Sequence, residues 1–97
     1  MNFNMVENIF QILQNHKREI EQRYSVKKIG IFGSYVRDKQ KETSDIDILV
    51  EFHNPTFDNF MDLVFYLEDL FGKEVDLITP NSLSPYIKPF IEKEIIW

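Results

Sequence analysis

The sequence predicts a small α/β (α+β) domain in which a mixed sheet is flanked by helices. Apolar residues recur at helical spacing in two segments, 3–23 and 57–71. Short apolar runs at 27–32, 45–52 and 74–79 are typical of strands, and polar or proline-containing segments separate them. The 97 residues, of which 43% are hydrophobic, suffice for a single domain with one core.

The first helix is predicted over residues 3–23, because apolar side chains recur there on one helical face: Phe3, Val6, Ile9, Phe10, Leu13 and Ile20. The run 27–32 then predicts a strand that ends at Gly33. Residues 35–44 are polar, which indicates one helical turn followed by a loop.

The second strand is predicted over residues 45–52. The residues after Asp47 are nearly all apolar, as in a strand that is covered on both faces. The second helix, 57–71, has Gly72 as its natural end. Residues 74–79 predict the third strand, which again has an aspartate near its start.

The C-terminal segment 81–94 has helical spacing, but two prolines interrupt it. Pro85 fits a first helical position, whereas Pro89 is expected to break or kink the helix. Residues 95–97 form either the last helical turn or a short extended piece, and the sequence leaves both alternatives open.

Composition excludes several classes of protein. The sequence contains no cysteine, which excludes a disulfide framework, a thiolate zinc site and a cysteine nucleophile. No apolar run approaches the roughly 18 residues that cross a bilayer, and residues 1–11 do not resemble a signal peptide. We therefore expect a cytoplasmic protein with no membrane partner. The net charge of −5 disfavours direct binding of nucleic acid, which depends on lysine and arginine.

Basic residues nevertheless cluster in two places, which are Lys27-Lys28 and the group Arg37, Lys39 and Lys41. Solvated surface is one explanation for both clusters. The second cluster lies close to a Gly-Ser pair that follows the first predicted strand, so contact with a phosphate group is the alternative.

Two aspartates, Asp45 and Asp47, open the second predicted strand and face the same side of it. Their Cα atoms would be about 6.7 Å apart, and at an effective dielectric near 20 the two carboxylates would repel by roughly 2.5 kcal/mol. A bound cation would relieve this repulsion, and Mg²⁺ prefers such oxygen ligands. Asp76 adds a third carboxylate if the second and third strands are neighbours, and three such ligands suit a two-metal site for in-line attack on phosphorus.

Gly33 and Ser34 fit the same chemistry. A strand that ends in glycine, followed by serine at the start of a helical turn, exposes unpaired backbone N–H groups where an anion can bind. The glycine lets a phosphate approach closely, and the serine hydroxyl adds another donor. Arg37, one turn further on, is placed to reach the same phosphate through two hydrogen bonds.

A purely structural role is the alternative for the aspartates. The run 43–45 (Thr-Ser-Asp) has turn chemistry, so Asp45 would cap the preceding loop. Asp47 would then pair with a lysine. The sequence alone leaves this alternative open.

Together these residues resemble the motif of the nucleotidyltransferase superfamily of the polymerase β type, at positions Gly33, Ser34, Asp45, Asp47 and Asp76. The segments GSYVRDKQKETSDIDILVEF and LEDLFGKEVDLITPNSLSPYIKPFIEKEIIW are similar to the minimal nucleotidyltransferases, the MNT family. The resemblance covers nearly the whole chain from Lys27 onward. It implies a single nucleotidyltransferase domain over residues 1–97 with the minimal polymerase β-like fold.

The resemblance also implies a function. Proteins of this family are typically antitoxins that are encoded with a HEPN-domain ribonuclease toxin, and they transfer AMP from ATP to a tyrosine of that toxin. It thus implies two Mg²⁺ ions, ATP as the co-substrate and a hetero-oligomer with the toxin. The catalytic and metal-binding residues would be Asp45, Asp47 and Asp76, and the nucleotide would bind at Gly33, Ser34 and Arg37.

The sequence departs from the family pattern at one place, where Asp38-Lys39 stands instead of the frequent Gly-Glu after the arginine. This change leaves the three aspartates intact and concerns only the geometry of the loop and the affinity for nucleotide. Two other functions remain open. One is nucleotidyl transfer to a small molecule, for which a second helical domain is expected. The other is steric neutralisation of the partner without catalysis.

Overall fold

A three-stranded mixed sheet lies at the centre of the computed structural model, which describes residues 5–41 and 43–97. Its strands are β1 (Val26–Phe32), β2 (Ile46–Phe52) and β3 (Val75–Ile78), in that spatial order. β1 pairs with β2 antiparallel, and β2 pairs with β3 parallel. The predicted α+β class with a small mixed sheet is confirmed.

Two helices precede the sheet, α1 (Met5–Asn15) and α2 (Lys17–Tyr24). The prediction of one continuous helix over 3–23 is wrong at His16, whose N–H donates to the Leu13 carbonyl in a turn (3.2 Å). Positions 3 and 4 lie outside the described residues. Leu13 and Ile20 are both fully buried although the chain turns between them. The helical spacing of apolar residues therefore continues across the turn between α1 and α2, and this is why the sequence predicted a single helix.

The third helix, α3 (Phe57–Phe71), has the predicted bounds. The side chain of Thr56 accepts the N–H of Asn59 at its start, and Gly72 ends it in a left-handed conformation with φ of 65°. Packing of α3 against α2 and β3 encloses Leu63 and Leu67 completely.

The C-terminal part consists of a short 3-10 turn (Pro80–Ser82), the helix α4 (Lys88–Glu94) and an extended tail, 95–97. The prediction that Pro85 takes a first helical position is wrong, because α4 begins only at Lys88. The prediction that Pro89 breaks a helix is also wrong, because Pro89 lies in the first turn of α4 and does not break it. A backbone N–H has no partner within the helix at that position, so proline is tolerated there. The tail extends along β1, where Ile96 and Ile31 exchange two backbone hydrogen bonds of 2.8 and 2.9 Å.

Both faces of β2 are covered, as its apolar run predicted. One face belongs to the main core cluster under the first three helices, which includes Ile46, Ile48 and Val50. On the other face Leu49 packs with Phe32 and Ile91, so α4 covers the second side of the sheet. Within the two described ranges, no helix is long and apolar enough to cross a membrane.

Candidate active site

The predicted motif residues meet at one end of the sheet, where β1 ends and the other two strands begin. Phe32, the last residue of β1, pairs with Asp47 in β2, and Asp47 pairs in turn with Asp76 in β3. The prediction that the second and third strands are neighbours is confirmed. Asp45 lies just outside β2, which begins at Ile46, so the predicted start of this strand was one residue too early.

Gly33 brings the backbone against Asp47. Its φ of +82° falls in the region that favours glycine, and a Cβ atom at this position would collide with the Asp47 carboxylate. The backbone N–H of Ser34 donates a hydrogen bond to the same carboxylate. The Gly-Ser pair and the Asp-x-Asp motif are thus two parts of one packed arrangement.

The electrostatic environment of Asp47 opposes its charge. Partial burial raises the pKa of this carboxyl above its usual value, and the negative charges of Asp76 and Asp45 raise it further. The hydrogen bond from Ser34 and the charge of Arg37 lower it, but they do not compensate fully. A site with this balance would be stabilised by an additional positive charge.

The carboxylates fit a divalent cation in their chemistry, since all are oxygen donors of the type that Mg²⁺ binds. In the described part of the chain, no group of three or more His, Asp or Glu side chains is arranged to hold a metal ion by itself. Mg²⁺ usually takes only one or two protein carboxylates and completes its shell with water and phosphate oxygens. Asp47, with Asp45 two residues before it and Asp76 on the adjacent strand, suits that mode of binding.

The loop before β2 does not require Asp45 as its cap, which was the structural alternative for this residue. The Ser44 hydroxyl accepts the N–H of Lys41 at 2.8 Å, so serine makes this turn contact. Asp45 itself is exposed beside the start of β2. The cation that lowers the pKa of Asp47 is Arg37, and not a lysine as that alternative required.

The prediction that the backbone N–H groups of Gly33 and Ser34 are unpaired is wrong: Ser34 donates to Asp47, and Gly33 donates to a glutamate outside the predicted motif. Glu94, the last residue of α4, accepts the backbone N–H of Gly33 with Oε1 at 3.0 Å. Its Oε2 lies 3.4 Å from Nη1 of Arg37. No spacing in the sequence indicated this contact, because it depends on how the C-terminal tail docks on β1.

At the departure Asp38-Lys39, the turn takes a backbone conformation that glycine would also adopt. Asp38 has a φ of +57°, a left-handed conformation that glycine adopts freely and that aspartate tolerates better than most residues. The N–H of Lys39 closes the turn by donating to the Ser34 carbonyl at 2.8 Å. The position where the family often has glycine is therefore one where glycine would be favoured here too.

This fold and this arrangement of a Gly-Ser turn against acidic strand ends agree with the resemblance that the motif indicated. The chain belongs to the nucleotidyltransferase domain family, whose model matches residues 13–97.

Relatives of similar length support the narrower resemblance to minimal nucleotidyltransferases. The chain is 44% identical over 93 residues to the protein adenylyltransferase MntA of Thermococcus cleftensis, covering 95% of this chain and 94% of that protein. It is 50% identical over 91 residues to a Methanocaldococcus jannaschii protein that is provisionally named a protein adenylyltransferase, covering 92% and 93%.

Solved structures show the same fold. A minimal nucleotidyltransferase superposes with a TM-score of 0.74 at 27% identity, over 90% of this chain and 93% of that one. A chain from the complex of a tri-AMPylated Shewanella oneidensis HEPN toxin with its MNT antitoxin superposes with a TM-score of 0.61 at 21% identity, over 89% and 68%. The second likeness is a likeness of fold alone.

Proposed function

We propose that the protein transfers AMP from ATP to a tyrosine hydroxyl of a HEPN-domain toxin, in a Mg²⁺-dependent reaction, and so acts as the antitoxin of that toxin. The observation that carries this proposal is the packing of the Gly33-Ser34 turn against Asp47, with Asp76 alongside on the next strand. The relatives named protein adenylyltransferases support a protein as the acceptor.

In the proposed reaction, the tyrosine oxygen attacks the α-phosphorus of ATP. A new P–O bond to tyrosine forms, the bond between the α- and β-phosphates breaks, and pyrophosphate leaves. The turn would hold the triphosphate through the Ser34 hydroxyl, and through the Gly33 N–H when Glu94 releases it, with Arg37 beside it. These contacts position the α-phosphorus for attack, and positioning is a large part of catalysis in phosphoryl transfer.

The aspartates would bind the cation and help to activate the tyrosine hydroxyl. Asp45 and Asp47 would hold Mg²⁺, and bound Mg²⁺ would neutralise the phosphate oxygens. Asp76, on the neighbouring strand, would help to activate the tyrosine hydroxyl by accepting its proton or by orienting it. The burial of Asp47 and the neighbouring aspartates oppose its negative charge, so the cation and the protein would stabilise each other.

Two measurements test the proposal. Mg²⁺ with ATP, at about a hundred times its dissociation constant, should add roughly 2.7 kcal/mol of stability and raise the melting temperature by about ten degrees or more. ATP without Mg²⁺ should have a much smaller effect. A melting temperature that does not change when Mg²⁺–ATP is added would overturn the proposal of a nucleotide site.

The second measurement addresses transfer. Substoichiometric protein with Mg²⁺ and ATP should silence an excess of the HEPN ribonuclease and add the mass of AMP to one or more of its tyrosines. The α,β-methylene analogue of ATP is the matched control, because it presents the same charges but cannot release pyrophosphate. If neutralisation needs a full equivalent of protein and proceeds equally well with the analogue, the protein acts sterically and does not act as an enzyme.

A further inference from the structure

We propose that the Glu94 carboxylate is an internal competitor of the triphosphate: it occupies the donors of the Gly33 turn and thereby sets the affinity for nucleotide. This inference rests on the proposed function, since it concerns the same phosphate site. It adds a residue from the opposite end of the chain, which no motif of the active site includes.

The contacts of Glu94 are those of a bound anion. One oxygen accepts the Gly33 N–H at 3.0 Å and the other lies 3.4 Å from the Arg37 guanidinium. A phosphate group would present its oxygens to the same two donors. Because the Gly33 N–H is a single donor pointing at one acceptor, a phosphate that uses it must displace the glutamate.

The tail of the chain fixes Glu94 at this place. Ile96 is hydrogen-bonded to Ile31 of β1 immediately after α4 ends. A Cβ atom on Gly30 would lie 2.9 Å from atoms of Ile95, Ile96 and Trp97, so the tail lies directly against the β1 backbone. The docked tail consequently holds the backbone of Glu94 close to the turn.

The ion pair between Glu94 and Arg37 is weak enough to be exchanged. The Arg37 side chain is 58% exposed, although that of Glu94 is only 20% exposed, and ion pairs with such an exposed partner contribute little net stability. Removing the negative charge should therefore leave the fold intact. It should strengthen triphosphate binding, because Asp45, Asp47 and Asp76 already make this end of the sheet negative.

The test compares Glu94→Gln with Glu92→Gln. The first substitution keeps an oxygen that can accept the Gly33 N–H and removes only the charge. The second removes an identical charge from an exposed position of the same helix, and it serves as the control for net charge. We expect E94Q to bind Mg²⁺–ATP and inorganic tripolyphosphate about three- to tenfold more tightly than wild type by titration calorimetry, and E92Q to differ from wild type by less than about twofold.

The emission of Trp97, the single tryptophan of the sequence, shows whether the tail is still docked in each variant, since its ring lies 4.3 Å from the Lys28 ammonium. Should E94Q fail to fold, Glu94→Asp keeps the charge but shortens the reach, and it should also bind more tightly than wild type.

Equal affinities for E94Q and E92Q would overturn the inference while leaving the proposed function standing. Weaker binding by E94Q would overturn it too, and would show that Glu94 positions the turn for the ligand. Wild-type protein that binds no Mg²⁺–ATP would overturn the proposed function and this inference together.

Discussion

Replacing Asp47 by asparagine should reduce the proposed AMP transfer by at least about a hundredfold, the effect of removing one preorganised electrostatic contact from an active site. The asparagine side chain would keep the size of the aspartate and an oxygen that accepts the Ser34 N–H. It would lose the negative charge that attracts the cation. The initial rate of label transfer from α-labelled ATP measures this loss, at ATP concentrations that saturate the wild-type protein.

The same substitution should raise the melting temperature of the protein without ligand. Burial and the neighbouring aspartates raise the pKa of Asp47 in the folded state above its ordinary value of 3.8. The stability associated with this group is fully present below the unfolded value and is lost as pH rises through the folded pKa. At neutral pH the charged form therefore destabilises the fold, and a neutral asparagine removes that penalty.

Two comparisons make the Asp47 prediction specific. Asp69→Asn, at an exposed position of α3, removes one negative charge away from the site and should change neither transfer nor the response to Mg²⁺–ATP. The difference in melting temperature between D47N and wild type should shrink as the pH falls, because the wild-type carboxyl becomes protonated and loses the charge that its surroundings oppose. Transfer by D47N at more than about a tenth of the wild-type rate would contradict a catalytic role for Asp47.

The strands and the motif were predictable because their signals are local. The apolar runs at 27–32, 45–52 and 74–79 predicted strands that the structure places at 26–32, 46–52 and 75–78. The Gly-Ser pair and the first two aspartates lie within 15 residues of one another, at the ends of two strands that pair directly. Antiparallel pairing then brings them together with no contribution from the rest of the chain.

The wrong predictions have a common physical cause. A change in the direction of the chain between helices, and contacts between segments that are distant in sequence, are not encoded in the local pattern of apolar residues. His16 breaks a helix whose buried face continues, since Leu13 and Ile20 satisfy helical spacing on either side of the turn. Pro89 lies in the first turn of a helix that its position in the apolar pattern suggested it would interrupt. The role of Glu94 depends on a tail that pairs with β1 across 65 residues of sequence, from Ile31 to Ile96.

Gly33→Ala should be the most destabilising of the single substitutions considered, by about 3 kcal/mol. A left-handed backbone conformation disfavours alanine by about 1–2 kcal/mol, and relief of a steric clash adds about 1–3 kcal/mol. The clash is specific, since the new methyl group would meet the Asp47 carboxylate. For a domain of this size the melting temperature should fall by more than about ten degrees. Transfer should also be lost, because the turn must move away from Asp47.

Gly72→Ala is the matched control, since this glycine also has a positive φ, of 65°, but a Cβ atom there meets nothing within 4 Å. It should be destabilised by only about 1 kcal/mol, the backbone part of the effect, and should keep full transfer. The decisive measurement is Gly33→Ala in an Asp47→Ala background, where the clashing carboxylate is absent. There the substitution should be clearly milder than in the wild-type background, because the clash with the carboxylate is removed and only the conformational penalty and a 3.0 Å contact with the Cβ atom of residue 47 remain. If Gly33→Ala is equally destabilising with and without the Asp47 carboxylate, the turn and the acidic strand are not packed against each other, and the site has a different geometry from the one described.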